Sequence, residues 1–178
     1  MVQKRNYHIR AASEDDARLL ATWWGDGSVM EHAGFPNGLQ TDVDALRVRL
    51  KNQTPSNTLW IIEQPPKNPV GEMNHRIKDR IAEIGIKLCG PSSQGQGLGP
   101  EALKWLINYL FSHYDITAIV LDTMIENTRA QAVYERLYFE QTAVLEDCWR
   151  DQLGRLRTAI AYQLTRERFE QYYQRIKT

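Results

Sequence analysis

The spacing of apolar positions changes several times along the chain, and each change marks an element. Tyr7 to Ala11 alternates as a short strand. Ser13 then offers an N-cap with Glu14, Asp15 and Asp16 behind it, and Leu19, Leu20 and Trp23 carry a helix toward Gly25. Periodicity is lost from Gly25 to Gln40, where Gly25, Gly27, Gly34, Pro36 and Gly38 predict a long loop. Helical spacing returns after Thr41, the expected cap of a helix through Val43, Leu46, Val48 and Leu50. Thr58 to Gln64 contains the run Leu59-Trp60-Ile61-Ile62, which reads as a buried strand. Pro65, Pro66 and Pro69 predict a turn. Val70 to Ile77 is a third strand, Lys78-Asp79 a hairpin turn, and Ile81 to Leu88 a fourth strand with Ile84, Ile86 and Leu88 on one side. Pro100 to Phe111 is a helix striped by Leu103, Leu106, Ile107 and Leu110, and Pro100 suits its first turn. Val120 to Asn127 is a strand that leads into a helix from Thr128. Thr142 to Trp149 and Leu156 to Thr165 pair as strands about the turn Asp151 to Gly154. In the charged tail, Phe169, Tyr172 and Tyr173 dock a short helix on the domain.

Between the fourth strand and the following helix lies Gln94-Gly95-Gln96-Gly97-Leu98-Gly99. A strand, a glycine-rich turn and a helix start aim unpaired N–H groups and the helix dipole at one point, which is an anion site best suited to phosphate. No Gly-Lys-Ser/Thr follows, so this is not a Walker loop. The spacing also lacks the last x-x-Gly of a dinucleotide fingerprint, and no acidic residue closes a second strand.

Strand, Gln-x-x-Gly-x-Gly, then helix resembles the coenzyme A pyrophosphate loop of the GNAT superfamily of N-acetyltransferases. A second segment supports the resemblance. Val120 to Asn127, then Thr128-Arg129-Ala130-Gln131-Ala132-Val133-Tyr134-Glu135-Arg136-Leu137-Tyr138-Phe139, is similar to that superfamily's strand-Asn-x-x-Ala-x-x-x-Tyr-Glu-x-x-Gly-Phe. The glycine before the phenylalanine is Tyr138 here, which puts the local helix-to-strand turn in question. The resemblance runs from residue 7 to 165 and is looser toward the ribosomal-protein-alanine acetyltransferase-like branch. It implies one domain over residues 1–178 with a three-layer α+β fold. A mostly antiparallel mixed sheet of about seven strands would be flanked by helices and splayed between the fourth and fifth strands. It also implies acetyl-CoA as donor and direct attack by a primary amine in a ternary complex.

Composition narrows the partners. The formal net charge of zero gives no global pull toward nucleic acid or an anionic membrane. No apolar run nears the ~20 residues of a membrane span, and the first residues lack an apolar signal core. Two cysteines, Cys89 and Cys148, fit a reducing cytoplasm. The histidines at 8, 32, 75 and 113 lack metal-ligand spacing, so no metal is assigned.

Acyl transfer from a thioester needs positioning, removal of a proton from the ammonium and protonation of the leaving thiolate. By resemblance Tyr134 is the general acid. A phenol's ordinary pKa of about 10 is close to that of a thiol. The resemblance assigns the pyrophosphate to Gln94, Gly95, Gln96, Gly97, Leu98 and Gly99, and the pantetheine to Asn127 and to the open edge of the fourth strand near Leu88 and Cys89. Cys89 reads as a small buried residue rather than a nucleophile, because no histidine base is placed beside it. Glu83, opposite in face to Ile84 and Ile86, is the candidate base, and Glu72 is the alternative. Each reads more readily, at about three to one, as a solvated strand carboxylate. Trp24, Glu31, Phe35, Glu72, Asp147 and Trp149 are candidate acceptor contacts. A small polyamine, a sugar amine or a protein N-terminus all fit the acceptor role. A non-catalytic module that senses acyl-CoA is the alternative reading, and exposed strand edges with the aromatic tail are compatible with a homodimer.

Overall fold

The computed structural model describes residues 7–65, 67–89 and 97–173. The elements follow the order β1 (His8–Ala11), α1 (Ala17–Gly25), α2 (Gly27–Met30), α3 (Val43–Lys51), β2 (Asn57–Gln64), β3 (Asn68–Lys78), β4 (Ile81–Leu88), α4 (Leu98–His113), β5 (Ala118–Met124), α5 (Thr128–Arg136), β6 (Glu140–Arg150), β7 (Leu156–Thr165) and α6 (Arg166–Tyr173). Short 3-10 turns precede α1 and follow α2. The seven strands form one sheet in the order β1-β2-β3-β4-β5-β7-β6. Every pairing is antiparallel except β4 with β5. The expected three-layer architecture is therefore the observed one.

The period of two puts alternate residues on opposite faces, and each face meets its own helices. Leu59 and Ile61 of β2 pack with Leu20 of α1 and with Leu46 and Leu50 of α3. Ile62, Met73 and Ile84 face the other way, onto Leu103, Leu106, Ile107 and Leu110 of α4. All four of those α4 residues are buried, as their helical spacing predicts. Full burial of each stabilises the fold by roughly 1.5–3 kcal/mol against the entropy of ordering it.

Several local expectations change. The stretch from Gly25 to Gln40 is not all loop. Asp26 accepts from Ser28 N at 2.8 Å and starts the short α2. The cap of α3 is Asp42, which accepts from the amides of Asp44 and Ala45, and not Thr41. The β3–β4 hairpin turns on Asp79 and Arg80, at φ 50° and 63°, rather than on Lys78-Asp79. Two positive φ values match the turn twist that right-handed strands favour, here without glycine. β5 ends at Met124. Tyr138, where the resembling pattern has glycine, takes the same left-handed backbone at φ 66°. Its ring stacks on Tyr172 at 4.5 Å, which offsets part of the cost. Asp147 also has positive φ, 45°, inside an irregular stretch of the β6–β7 pairing.

His75 on β3 is 1% exposed and lies at a junction of β2, β3 and α4. Its Nδ1 accepts from Trp60 Nε1 at 3.0 Å, so the ring proton is on Nε2 and donates to Pro55 O at 2.9 Å. Burial pushes the imidazole below its ordinary pKa, and the Pro55 carbonyl opposes this only in part. Between the folded and unfolded values the unfolded chain binds more protons. His75 therefore favours folding fully above about pH 6.5, and that contribution is lost as pH falls. Urea midpoints at pH 7 and pH 5.5 test this. The wild type is expected to lose up to about 1.4 kcal/mol per pH unit more than His75→Gln. Parallel pH dependences in the two proteins would remove His75 as the source.

Candidate active site

β4 pairs with β3 along its whole length, from Ile81 to Leu88. With β5 it pairs only at Ile81, Ala82 and Glu83. Beyond Glu83 the two strands part, as expected, and the backbone of Ile84 to Leu88 lacks a β5 neighbour. The gap opens into a cavity of about 1100 Å³. Ile84 to Leu88 wall one side and Leu121 to Met124 the other, with Gly97 and Gly99 at the head of α4, and Asn127 and Tyr134 from α5 and its cap. Thus Leu88, Gly97, Gly99, Asn127, Tyr134 and Glu83 are brought to one place. Gln94, Gly95 and Gln96 lie outside the described residues.

At the α4 end, Gly97 caps the helix with φ 78°. A residue with a side chain adopts that backbone only with strain. Leu98 is buried and anchors the first turn. The cradle fits a phosphate-bearing cofactor, because the first amides of a sixteen-residue helix open toward the same cavity as the free edge of β4. Asn127 caps α5 through Oδ1, which accepts from Ala130 N at 3.3 Å, while Nδ2 donates to Thr123 Oγ1 at 3.1 Å. Cys89 is not among the cavity walls. Its amide donates to Val70 O, and burial, followed by the charge of Glu72, pushes its thiol up to about 12. A thiol so shifted holds its proton at neutral pH.

Tyr134 is 8% exposed and meets Tyr162 edge-on at 5.6 Å. Its phenol is pushed up to about 12, first by burial, then by the charge of Asp122 and by Tyr162. The matched acidity expected from sequence is therefore corrected: the group is a weaker acid that stays protonated over a wider range. Asp122 was not anticipated. On β5 it stands two residues beyond Val120, the register partner of Glu83, and so shares the Glu83 face. It opens on the cavity, yet the surrounding protein raises its carboxyl above the ordinary range by desolvation, with the Glu83 charge second. A lone acid within the run Ile119-Val120-Leu121-Asp122-Thr123-Met124 was the available signal. Glu83 holds Arg76 at 2.8 Å.

The acceptor candidates divide. Glu31, Phe35 and Trp149 line the cavity. Gly34, at φ 89°, lies so close to the Trp149 ring that a Cβ would stand 2.1 Å from it. Trp24 and Glu72 lie behind the wall. Glu72, 4% exposed, accepts from Trp24 Nε1 at 2.9 Å and from Lys87 Nζ at 3.1 Å. Lys87 itself faces the cavity. Asp147 is away from the walls, and its amide donates to Thr158 Oγ1 at 3.3 Å. Gln152, also unanticipated, joins the β6–β7 turn to the α2–α3 segment. Its amide donates to Gly34 O at 2.8 Å, its Nε2 donates to Gly38 O at 2.9 Å, and its Oε1 accepts from Asn37 N at 2.9 Å. No helix among the described residues is long and apolar enough to cross a membrane.

Comparisons with known proteins bear on the family and the fold. The family described as acetyltransferase (GNAT) domain matches residues 7–140. An uncharacterized N-acetyltransferase, p20, of Bacillus licheniformis is 25% identical over 170 residues, covering 90% of this chain and 93% of that protein. The fold is similar to spermidine N-acetyltransferase of Vibrio cholerae, solved with CoA and spermine, at a TM-score of 0.81. That match has 20% identity and covers 92% of this chain and 98% of the other. It is also similar to an aminoglycoside acetyltransferase solved with coenzyme A, at a TM-score of 0.73 and 22% identity, covering 94% and 99%.

Proposed function

This chain belongs to the acetyltransferase (GNAT) family, and from that premise we propose that it acetylates a small primary amine by direct attack within a ternary complex. Acetyl-CoA supplies the activated acetyl group. The α4 head at Gly97 and Gly99 and the unpaired edge of β4 hold the donor, and Leu88 and Asn127 border it. Glu83 and Asp122 receive the acceptor ammonium from the opposite side of the sheet and take up its proton. Tyr134 Oη gives its proton to the departing sulfur. Acceptors bound by structural neighbours, spermine in one and an aminoglycoside in another, are small amines and accord with this class.

The observation that carries the reading is the convergence of Tyr134, Asp122 and Glu83 at the mouth of the β4–β5 gap, with charge coupling from Asp122 to each of the other two. Release of free thiol from acetyl-CoA across a panel of amines tests it. Asp122→Asn is expected to lower kcat/KM by roughly 10–100-fold. A base must be ionised to act, so wild-type activity rises with pH through the raised Asp122 value, and this acid limb disappears in the variant. An unaltered rate and acid limb would take Asp122 out of the proton path. Absence of thiol release with every amine would reject the transfer reading itself.

A further inference from the structure

The part of the cavity floor that the proton path does not use is a polar patch on β2, β3 and α3. Asn57 is the register partner of Arg76, Arg76 of Glu83, and Asn74 of Gly85. The period of two therefore puts Asn57, Asn74, Arg76 and Glu83 on one face. Helix α3 packs on that same face through Leu46 and Leu50 and brings Arg49 to it. Arg49, Asn57, Asn74 and Arg76 all line the cavity.

These groups are donors with capacity left over. Among the described residues the side-chain amides of Asn57 and Asn74 have no hydrogen-bond partner, and Arg49 has no carboxylate partner. The contact of the Arg49 guanidinium is with the Trp24 ring at 5.9 Å. Arg76 uses one terminal nitrogen on Glu83 and keeps its other N–H groups. A Cβ at position 85 would come within 2.6 Å of Asn74 Oδ1, so the absence of a side chain there is what gives the Asn74 amide its room. Glu83 pairs with Arg76 and Glu72 with Lys87, whereas Arg49 makes no ion pair among the described residues.

Resting on the acetyl-transfer reading, we propose that the acceptor is a small amine that also carries an anionic oxygen group, a carboxylate or a phosphate, and that Arg49, Asn57, Asn74 and Arg76 bind that group. Guanidinium and amide N–H groups together match such an anion in charge and in donor geometry. A polycation extended along this floor would instead meet Arg49 with like charge. Adjacent strands lie about 4.8 Å apart, so a group held on β2 or β3 sits roughly 5–10 Å from an amine at the β4–β5 gap. That span suits a short amino acid or an amino sugar phosphate.

Matched acceptors separate the possibilities. The panel contrasts 4-aminobutyrate with butylamine and glucosamine 6-phosphate with glucosamine, with spermidine as the polycation, using thiol release from acetyl-CoA. In at least one pair the anionic member is expected to have a kcat/KM at least tenfold above its neutral counterpart, and the responding pair distinguishes carboxylate from phosphate. Arg49→Ala and Asn74→Ala are each expected to bring that ratio toward one, mainly through KM, and Arg49→Lys to recover part of it. Arg49 is exposed, so its replacement leaves the core intact. Faster turnover of spermidine and the neutral amines than of the anionic ones, or a ratio unmoved by Arg49→Ala, would overturn the inference while leaving acetyl transfer standing. No thiol release with any amine would remove both.

Discussion

Tyr134→Phe is expected to lower kcat for acetyl transfer by roughly 10²–10³ while leaving the affinity for coenzyme A within about threefold. Phenylalanine keeps the ring that packs against Phe139 at 6.2 Å and Tyr162 at 5.6 Å, so the α5–β7 contact survives and only the proton donor is lost. Burial has already pushed the phenol up to about 12, which costs acidity but keeps the donor loaded. The wild-type rate should accordingly show no alkaline decline from this group up to at least about pH 10. Pre-steady-state release of thiol, alongside calorimetric titration with coenzyme A, separates chemistry from binding. Equal single-turnover rates in the two proteins would dismiss the phenol as the acid.

The second large effect is expected at the head of α4. Gly97→Glu should weaken coenzyme A binding by at least about 100-fold, equivalent to roughly 2.7 kcal/mol. Two costs combine. Any side chain at Gly97 must adopt φ 78°, which costs about 1–2 kcal/mol. A carboxylate there would also oppose the diphosphate proposed at this helix N-terminus and cancel the favourable dipole. Gly97→Ala carries the first cost alone and should lose far less affinity. Near-native binding by the glutamate variant would move the diphosphate site elsewhere.

What the sequence disclosed followed from regular spacing. β4 was legible to the residue because Ile84 and Ile86 alternate with Glu83 and Gly85. The α4 stripe was legible because four apolar residues recur at helical spacing. The parting of β4 from β5 came from resemblance, since no residue pattern encodes where pairing stops. Features set by single local bonds were harder. Both Thr41 and Asp42 can cap a helix, and only the backbone path decides that Asp42 does. Asp79, Arg80 and Tyr138 take left-handed backbones that composition assigns to glycine, because hairpin twist and ring stacking offset the strain. Asp122 was hidden by the strand around it, as the role proposed for it arises from the nearness of Glu83 and Tyr134, which are distant in sequence. Trp24 and Glu72 show the reverse: each belongs to a type often found at sites, yet they bond to one another, Trp24 Nε1 to Glu72 Oε1, and neither lines the cavity.

Gln152 carries one more consequence. Its three bonds to Gly34, Asn37 and Gly38 clip the turn after β6 to the segment after α2, and the Trp149 ring is pressed against Gly34 beside the clip. Segments more than a hundred positions apart thereby behave as a single rim. The width of the cavity on this side is then a property of that joint rather than of either segment, and a change in either one is transmitted to the other.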